Sequence, residues 1–113
     1  MGCAIEVHKQ LGPGLLESTY EQCRAHELAL HQLPYTLQQQ VPVQYKGVSL
    51  DCGYRIDCLV DNKIILELKS VESLKPIHEA QLLTYMKLMQ VNVGLLINFN
   101  SLILKNGIKR FIL

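Results

Sequence analysis

The sequence predicts an α/β (α+β) domain in which helices flank one mixed β-sheet. Three observations carry this. Apolar residues recur at helical spacing near the start and over 76–89, they alternate with polar ones over 41–52 and 91–99, and two strand-like stretches, 55–60 and 64–69, lie between. The chain has 113 residues, of which 49% are apolar, enough for one buried core, so a single domain spanning 1–113 is expected.

Taken in order, Cys3, Ala4, Val7 and Leu11 form an apolar stripe, and Gly12-Pro13-Gly14 interrupts the backbone after it. Leu16, Tyr20, Cys23, Leu28 and Leu30 place a second helix from Leu15 to about Leu33, and Pro34 ends it. Val41, Val43 and Tyr45 then alternate with polar residues, Lys46-Gly47 turns, and Val48, Leu50 and Cys52 alternate again. This is a hairpin that pairs Tyr45 with Val48 and Val43 with Leu50 and gathers its apolar side chains on one face. Pro42 makes its first strand an edge, because proline cannot donate into a ladder on both sides.

Two further strands, Arg55 to Val60 and Ile64 to Lys69, are joined by Asp61-Asn62-Lys63. With that loop Val60 faces Ile64 and Asp57 faces Glu67, so Ile56, Cys58, Val60, Ile64, Leu66 and Leu68 form one apolar face. Arg55, Asp57, Leu59, Ile65, Glu67 and Lys69 occupy the other. Pro76 suits the first turn of a third helix that runs to about Met89, with an apolar stripe of Ala80, Leu83 and Met86. Residues 91–99 form a strand, and Gly107 turns the chain into a last strand over 108–113.

Composition narrows the function. With 11 basic and 10 acidic side chains the net charge is +1, which excludes a polybasic mode of binding and leaves only a local grip on a phosphate backbone. No apolar run is long enough to span a membrane, and Met1 to Glu6 lack a basic segment leading into an apolar one, so a cytoplasmic protein is expected. Cys3, Cys23, Cys52 and Cys58 have no Cys-x-x-Cys spacing, so reduced, mostly buried thiols are expected rather than zinc or an iron-sulfur cluster.

The strongest chemical signal is the opposition of Asp57 and Glu67. Like charges directly across a ladder are unfavourable, and at about 5 Å their repulsion is about 3 kcal/mol for an effective dielectric of about 20. Two compensations satisfy the spacing. Arg55 and Lys69 neutralise the pair on a solvated face, or an oxygen-ligated cation such as magnesium or manganese sits between the carboxylates with Lys69 beside it, the arrangement that phosphodiester hydrolysis requires. Elsewhere, Glu17 and Tyr20 share a helix face next to Gly14, and Gln81 and Tyr85 lie at i and i+4 with His78 preceding them. Each admits a bland reading, as a helix-start acid, a core aromatic or a solvated stripe.

The stretches Gly14-Leu15-Leu16-Glu17-Ser18-Thr19-Tyr20, Asp51-Cys52-Gly53-Tyr54-Arg55-Ile56-Asp57, Glu67-Leu68-Lys69, 78–85 (HEAQLLTY) and 94–100 (GLLINFN), in this order over nearly the whole chain, resemble the GxxExxY proteins. That family is grouped with the PD-(D/E)XK phosphodiesterases, whose restriction-endonuclease-like core is a helix, a three-strand meander, a helix and a further strand. The resemblance implies a mixed sheet built on such a meander, flanked by helices. It also implies a divalent metal, Mg2+ or Mn2+, held by Glu17, Asp57, Glu67 and the Leu68 carbonyl, with Lys69 as the motif lysine. Gln81 and Tyr85 would match the Gln-x-x-x-Tyr motif of the recombination-nuclease branch, supporting the lysine and contacting nucleic acid. Ile56 departs from the superfamily's proline, and the cysteines lack the iron-sulfur ligands of the CRISPR-adaptation nucleases.

The expectation is therefore a small metal-dependent nuclease acting on DNA or RNA, with Asp57, Glu67, Lys69, Gln81 and Tyr85 as its catalytic set. Two alternatives accompany it: a non-catalytic nucleic-acid-binding or protein-interaction module on the same fold, and a subunit that completes its cleft only as a homo-oligomer.

Overall fold

A computed structural model describes residues 2–113. The chain runs α1 (Gly2–Leu11), α2 (Glu17–Leu30), β1 (Tyr35–Gln40), β2 (Val43–Tyr45), β3 (Val48–Leu50), β4 (Arg55–Val60), β5 (Ile64–Lys69), α3 (Pro76–Met89), β6 (Val93–Asn98), a 3-10 turn (Leu104–Gly107) and β7 (Ile108–Ile112). Five strands form one mixed sheet in the order β1-β4-β5-β6-β7. Only β5 and β6 are parallel, joined by the α3 crossover that parallel neighbours need.

Apolar side chains leave both faces of the sheet, and helices cover both. On one side Cys58, Val60, Leu66, Leu68, Leu95 and Ile97 pack with Ala4 and Val7 of α1 and Tyr20 and Leu28 of α2. On the other, Ile56, Leu59, Ile65 and Leu96 pack with Leu82, Tyr85 and Met86 of α3. The close approach of α3 requires Gly94 on β6, where a Cβ would lie 2.7 Å from the Met86 sulfur and 3.1 Å from Leu82.

The elements depart from the sequence reading in identifiable places. The meander is β1-β4-β5, and its first strand is the stretch Tyr35–Gln40, where polar glutamines hide the alternation of an edge strand. The hairpin has the expected register, Val43 with Leu50 and Tyr45 with Val48, but it forms its own two-stranded ribbon rather than an edge of the main sheet. It covers little of the core, so Tyr45, Val48 and Leu50 stay exposed, while Val41 turns inward and is fully buried.

Helix faces differ too. In α1 the exposed Leu11 gives way to buried His8, whose Nε2 lies 2.7 Å from the Ser101 carbonyl. In α2 the buried face is Tyr20, Arg24, Ala25 and Leu28, and Leu16 and Leu30 are exposed. The buried face of α3 is Leu82, Tyr85 and Met86, a rotation away from Ala80 and Leu83. Of the four free cysteines only Cys58 is buried, and Cys52 is exposed, so the thiols are not mostly interior.

Candidate active site

The register of β4 on β5, Val60 with Ile64, Leu59 with Ile65 and Cys58 with Leu66, leads toward Asp57 facing Glu67. There the ladder changes character. The Leu68 N–H donates to Asp57 Oδ2 at 2.7 Å, and the Asp57 N–H donates to Glu67 Oε1 at 3.1 Å. Side-chain oxygens have replaced the carbonyls that would continue a regular ladder. On the other flank, the pairing of β1 with β4 also skips position 57, and Gln38, opposite it, takes a positive φ of 50°. The interruption resets the pleat, so Ile56 joins the α3-side core with Leu59 and Ile65 instead of following Cys58 and Val60 as expected.

Glu67 is a buried carboxyl and Asp57 is half-buried. Burial first, and then the charge of Asp57, push the Glu67 carboxyl up to about 8; the Asp57 N–H, Lys69 and Arg24 pull it down without reversing the shift. Glu67 is thus favoured in its neutral form beside Asp57, whereas a divalent, oxygen-seeking cation would accommodate both as anions. The donor chemistry of this pair fits such an ion.

Glu17 reaches the end of β5 by a different route. The turn Gly12-Pro13-Gly14 uses positive φ at both glycines, 74° and 95°. It is held by the buried Tyr20, whose hydroxyl donates to the Gly12 carbonyl at 2.6 Å and accepts from the Leu15 N–H at 3.0 Å. The Ser70 hydroxyl donates to the Leu15 carbonyl at 2.8 Å, and the Ser70 N–H donates to Glu17 Oε1 at 3.1 Å. Tyr20 is also stacked on Phe99 with centroids 4.3 Å apart, which makes it a core aromatic that fixes the helix start.

Two cavities lie at this end of the strands, one lined by Asp57 and the other by Lys69. The smaller, about 210 Å³, is lined by Glu17, Ser18, Glu21, Gln38, Asp57 and Leu68. The larger, about 790 Å³, is lined by Lys69, Gln81, Tyr85 and His78 of the anticipated residues, together with Tyr54, Val43 and Ile77. The structure thus brings Glu17 beside Asp57 and Leu68 on one side, and Lys69 beside Gln81 and Tyr85 on the other. Among the described residues no three His, Cys, Asp or Glu side chains converge as a metal cluster, so Glu17 does not close on Asp57 and Glu67 as expected; its carboxylate is turned to the Ser70 N–H. Gln81 Nε2 donates to the Tyr85 hydroxyl at 3.0 Å, so it pairs with the tyrosine rather than with Lys69.

Three further residues shape the site and escaped the pattern reading. Glu21, one turn after Glu17, lines the smaller cavity and accepts from Gln38 Nε2 at 2.8 Å; its i+4 spacing from Glu17 was the available signal. Arg24 is only 1% exposed, and none of its guanidinium nitrogens has a hydrogen-bond partner among the described residues. Its charge faces Cys58, Asp57, Glu21 and Glu67, and burial lowers its pKa. Nothing in a helical stripe marks an arginine as interior. Buried Asn98 accepts from the N–H groups of Val71 and Asn100 and donates to the Val71 carbonyl, anchoring the chain as it leaves β5.

A meander carrying opposed acidic residues, followed on the same strand by a lysine and closed by a crossover helix, defines the phosphodiesterase type of α/β domain. The chain belongs to the PD-(D/E)XK nuclease superfamily, whose family model matches residues 1–111. No curated protein and no solved structure matches it. Among the described residues no helix is long and apolar enough to cross a membrane.

Proposed function

We propose that the protein hydrolyses phosphodiester bonds of nucleic acid with the help of Mg2+ or Mn2+. The observation that carries this reading is the hydrogen-bonded opposition of Asp57 and Glu67, two residues from Lys69, in a chain of the PD-(D/E)XK superfamily. Asp57, Glu67 and the Leu68 carbonyl would hold the ion, and Glu17 would join them from the rim of the smaller cavity through a rotation away from Ser70. When bound, the ion would polarise the phosphoryl oxygen and acidify a water. The chain's own contribution is positional. Lys69 offers an ammonium to the water or to developing negative charge, and the Gln81–Tyr85 pair gives polar support across the cavity that Lys69 lines. The order of Gly14, Glu17 and Tyr20, and the way Tyr20 fixes the helix start, favour the GxxExxY branch of the superfamily.

The test is cleavage of single- and double-stranded DNA and RNA with magnesium, manganese or EDTA. Activity should require the metal and fall at least about a hundredfold in Asp57→Asn and Lys69→Met, the scale of losing one electrostatic contributor. Activity that survives both substitutions would defeat the reading in favour of a contaminating nuclease or a binding module.

A further inference from the structure

We propose that the larger cavity receives an unpaired nucleotide strand, with a base stacked on Tyr54 and a phosphate oxygen held by His78. This rests on the nucleic-acid reading for the class of ligand and adds the strandedness and the contacts.

Tyr54 lines the 790 Å³ cavity and is 47% exposed. Its backbone is fastened at several points. The Tyr54 carbonyl accepts from the Val41 N–H at 2.9 Å and from Arg55 Nη1 at 3.2 Å. Just before it, Asp51 Oδ1 accepts from the Gly53 N–H at 3.0 Å, and Gly53 takes φ of 79°. The ring leans on Tyr85 with centroids 6.2 Å apart at 54°, so its support comes from the motif helix α3. A tyrosine fixed in this way, with half its surface open, is a preformed platform for a flat π-face.

His78 supplies the polar counterpart. The Lys75 N–H donates to His78 Nδ1 at 3.0 Å, and a backbone N–H can only donate, so Nδ1 is unprotonated. In the neutral ring the proton is on Nε2, and this is the atom left to donate to an anionic oxygen. His78 lines the same cavity as Tyr54, and Lys69 is the one ammonium among the lining residues.

Val43, Ala80, Leu88 and Ile77, the last 68% exposed, complete a wall with more hydrocarbon than charge. A duplex presents mainly phosphates and is gripped by many cations, whereas splayed bases are taken up by aromatic and apolar surface. The cavity has the second character.

The experiment is fluorescence anisotropy in EDTA, where cleavage is suspended. The probes are a labelled oligothymidylate of about a dozen residues, its duplex with oligoadenylate, and the matching oligouridylate. The single strands should bind at least about tenfold more tightly than the duplex. Tyr54→Ala should weaken them about 5- to 150-fold, the range for loss of one stacked base, and Tyr54→Phe should stay within about twofold of the wild type. Tyr54→Leu keeps apolar bulk without a π-face and should behave as Tyr54→Ala, so a misfolded alanine variant does not decide the matter. His78→Ala should weaken both single strands, and His78→Gln, which restores an N–H, should recover part of the loss.

Equal or tighter binding of the duplex overturns the proposal, as does single-strand affinity that is undetectable or unchanged in Tyr54→Ala and Tyr54→Leu. Cleavage is read separately. Stacking-dependent binding without magnesium-dependent hydrolysis would keep this inference and reject the nuclease reading, and hydrolysis confined to duplex with Tyr54 immaterial would do the reverse.

Discussion

Replacing Glu67 by glutamine isolates the energetic consequence of the opposed carboxyls. In the unfolded chain the Glu67 carboxyl titrates near 4.5, and in the fold burial and Asp57 push it up to about 8. Between those values the folded protein binds the extra proton, so stability falls as pH rises through that window and levels off above it. At about 1.4 kcal/mol per pH unit, the metal-free fold has lost roughly 2 kcal/mol of stability at pH 6, relative to acid pH, and roughly 5 kcal/mol above pH 8. Glutamine keeps an oxygen to accept the Asp57 N–H and has no charge to bury. Urea denaturation in EDTA at pH 5, 7 and 9 should find Glu67→Gln close to wild type at pH 5 and more stable by several kcal/mol at pH 9. Adding manganese at pH 9 should close the gap by stabilising the wild type alone, since the variant lacks the second anion. Parallel pH profiles for the two proteins, with no manganese response, would show that Glu67 ionises like an exposed acid, and the case for a shared cation would fail.

Three other substitutions read the rest of the structure. Arg24→Met removes a buried guanidinium that has no hydrogen-bond partner among the described residues and should leave stability unchanged or raise it by about 1 to 3 kcal/mol in urea melts; destabilisation would mean that its charge on Asp57 and Glu67 outweighs its desolvation. Tyr20→Phe deprives Gly12 and Leu15 of their shared partner and should cost about 1 to 2 kcal/mol, with faster hydrogen exchange confined to residues 12–17; unchanged exchange there would contradict its role at the helix start. Gly94→Ala pushes a methyl against Met86 and Leu82 and should cost about 1 to 3 kcal/mol, partly recovered by Met86→Ala in a double-mutant cycle.

The residues that were legible from sequence are those whose role is periodic. The register of β5 on β4 followed from a polar triplet between alternating strands, and Pro76 marked α3 to within its first turn. Tyr35–Gln40 escaped because an edge strand with few buried positions has no apolar alternation to display. The burial of Arg24, like that of Tyr85, is decided by which face of a helix meets the sheet, a tertiary fact that a stripe of similar residues underdetermines. At the site, spacing placed Asp57 opposite Glu67, but it carried no information on the bonds that turn Glu17 toward Ser70 and Gln81 toward Tyr85.

The ribbon β2-β3 is paired only with itself and leaves the sheet between Gln40 and Arg55, which are register partners in the β1-β4 ladder. Chain of a different length or character can be spliced at the Lys46-Gly47 turn of the ribbon without disturbing a ladder bond of the main sheet or the Val41–Tyr54 hydrogen bond at its base. Because Val43 and Tyr54 at its base also line the larger cavity, such a splice would rework the approach to Lys69 while the carboxylate strands stayed as they are. If the proposed function holds, the appendage is a part of this scaffold that can change without altering the strands that carry Asp57 and Glu67.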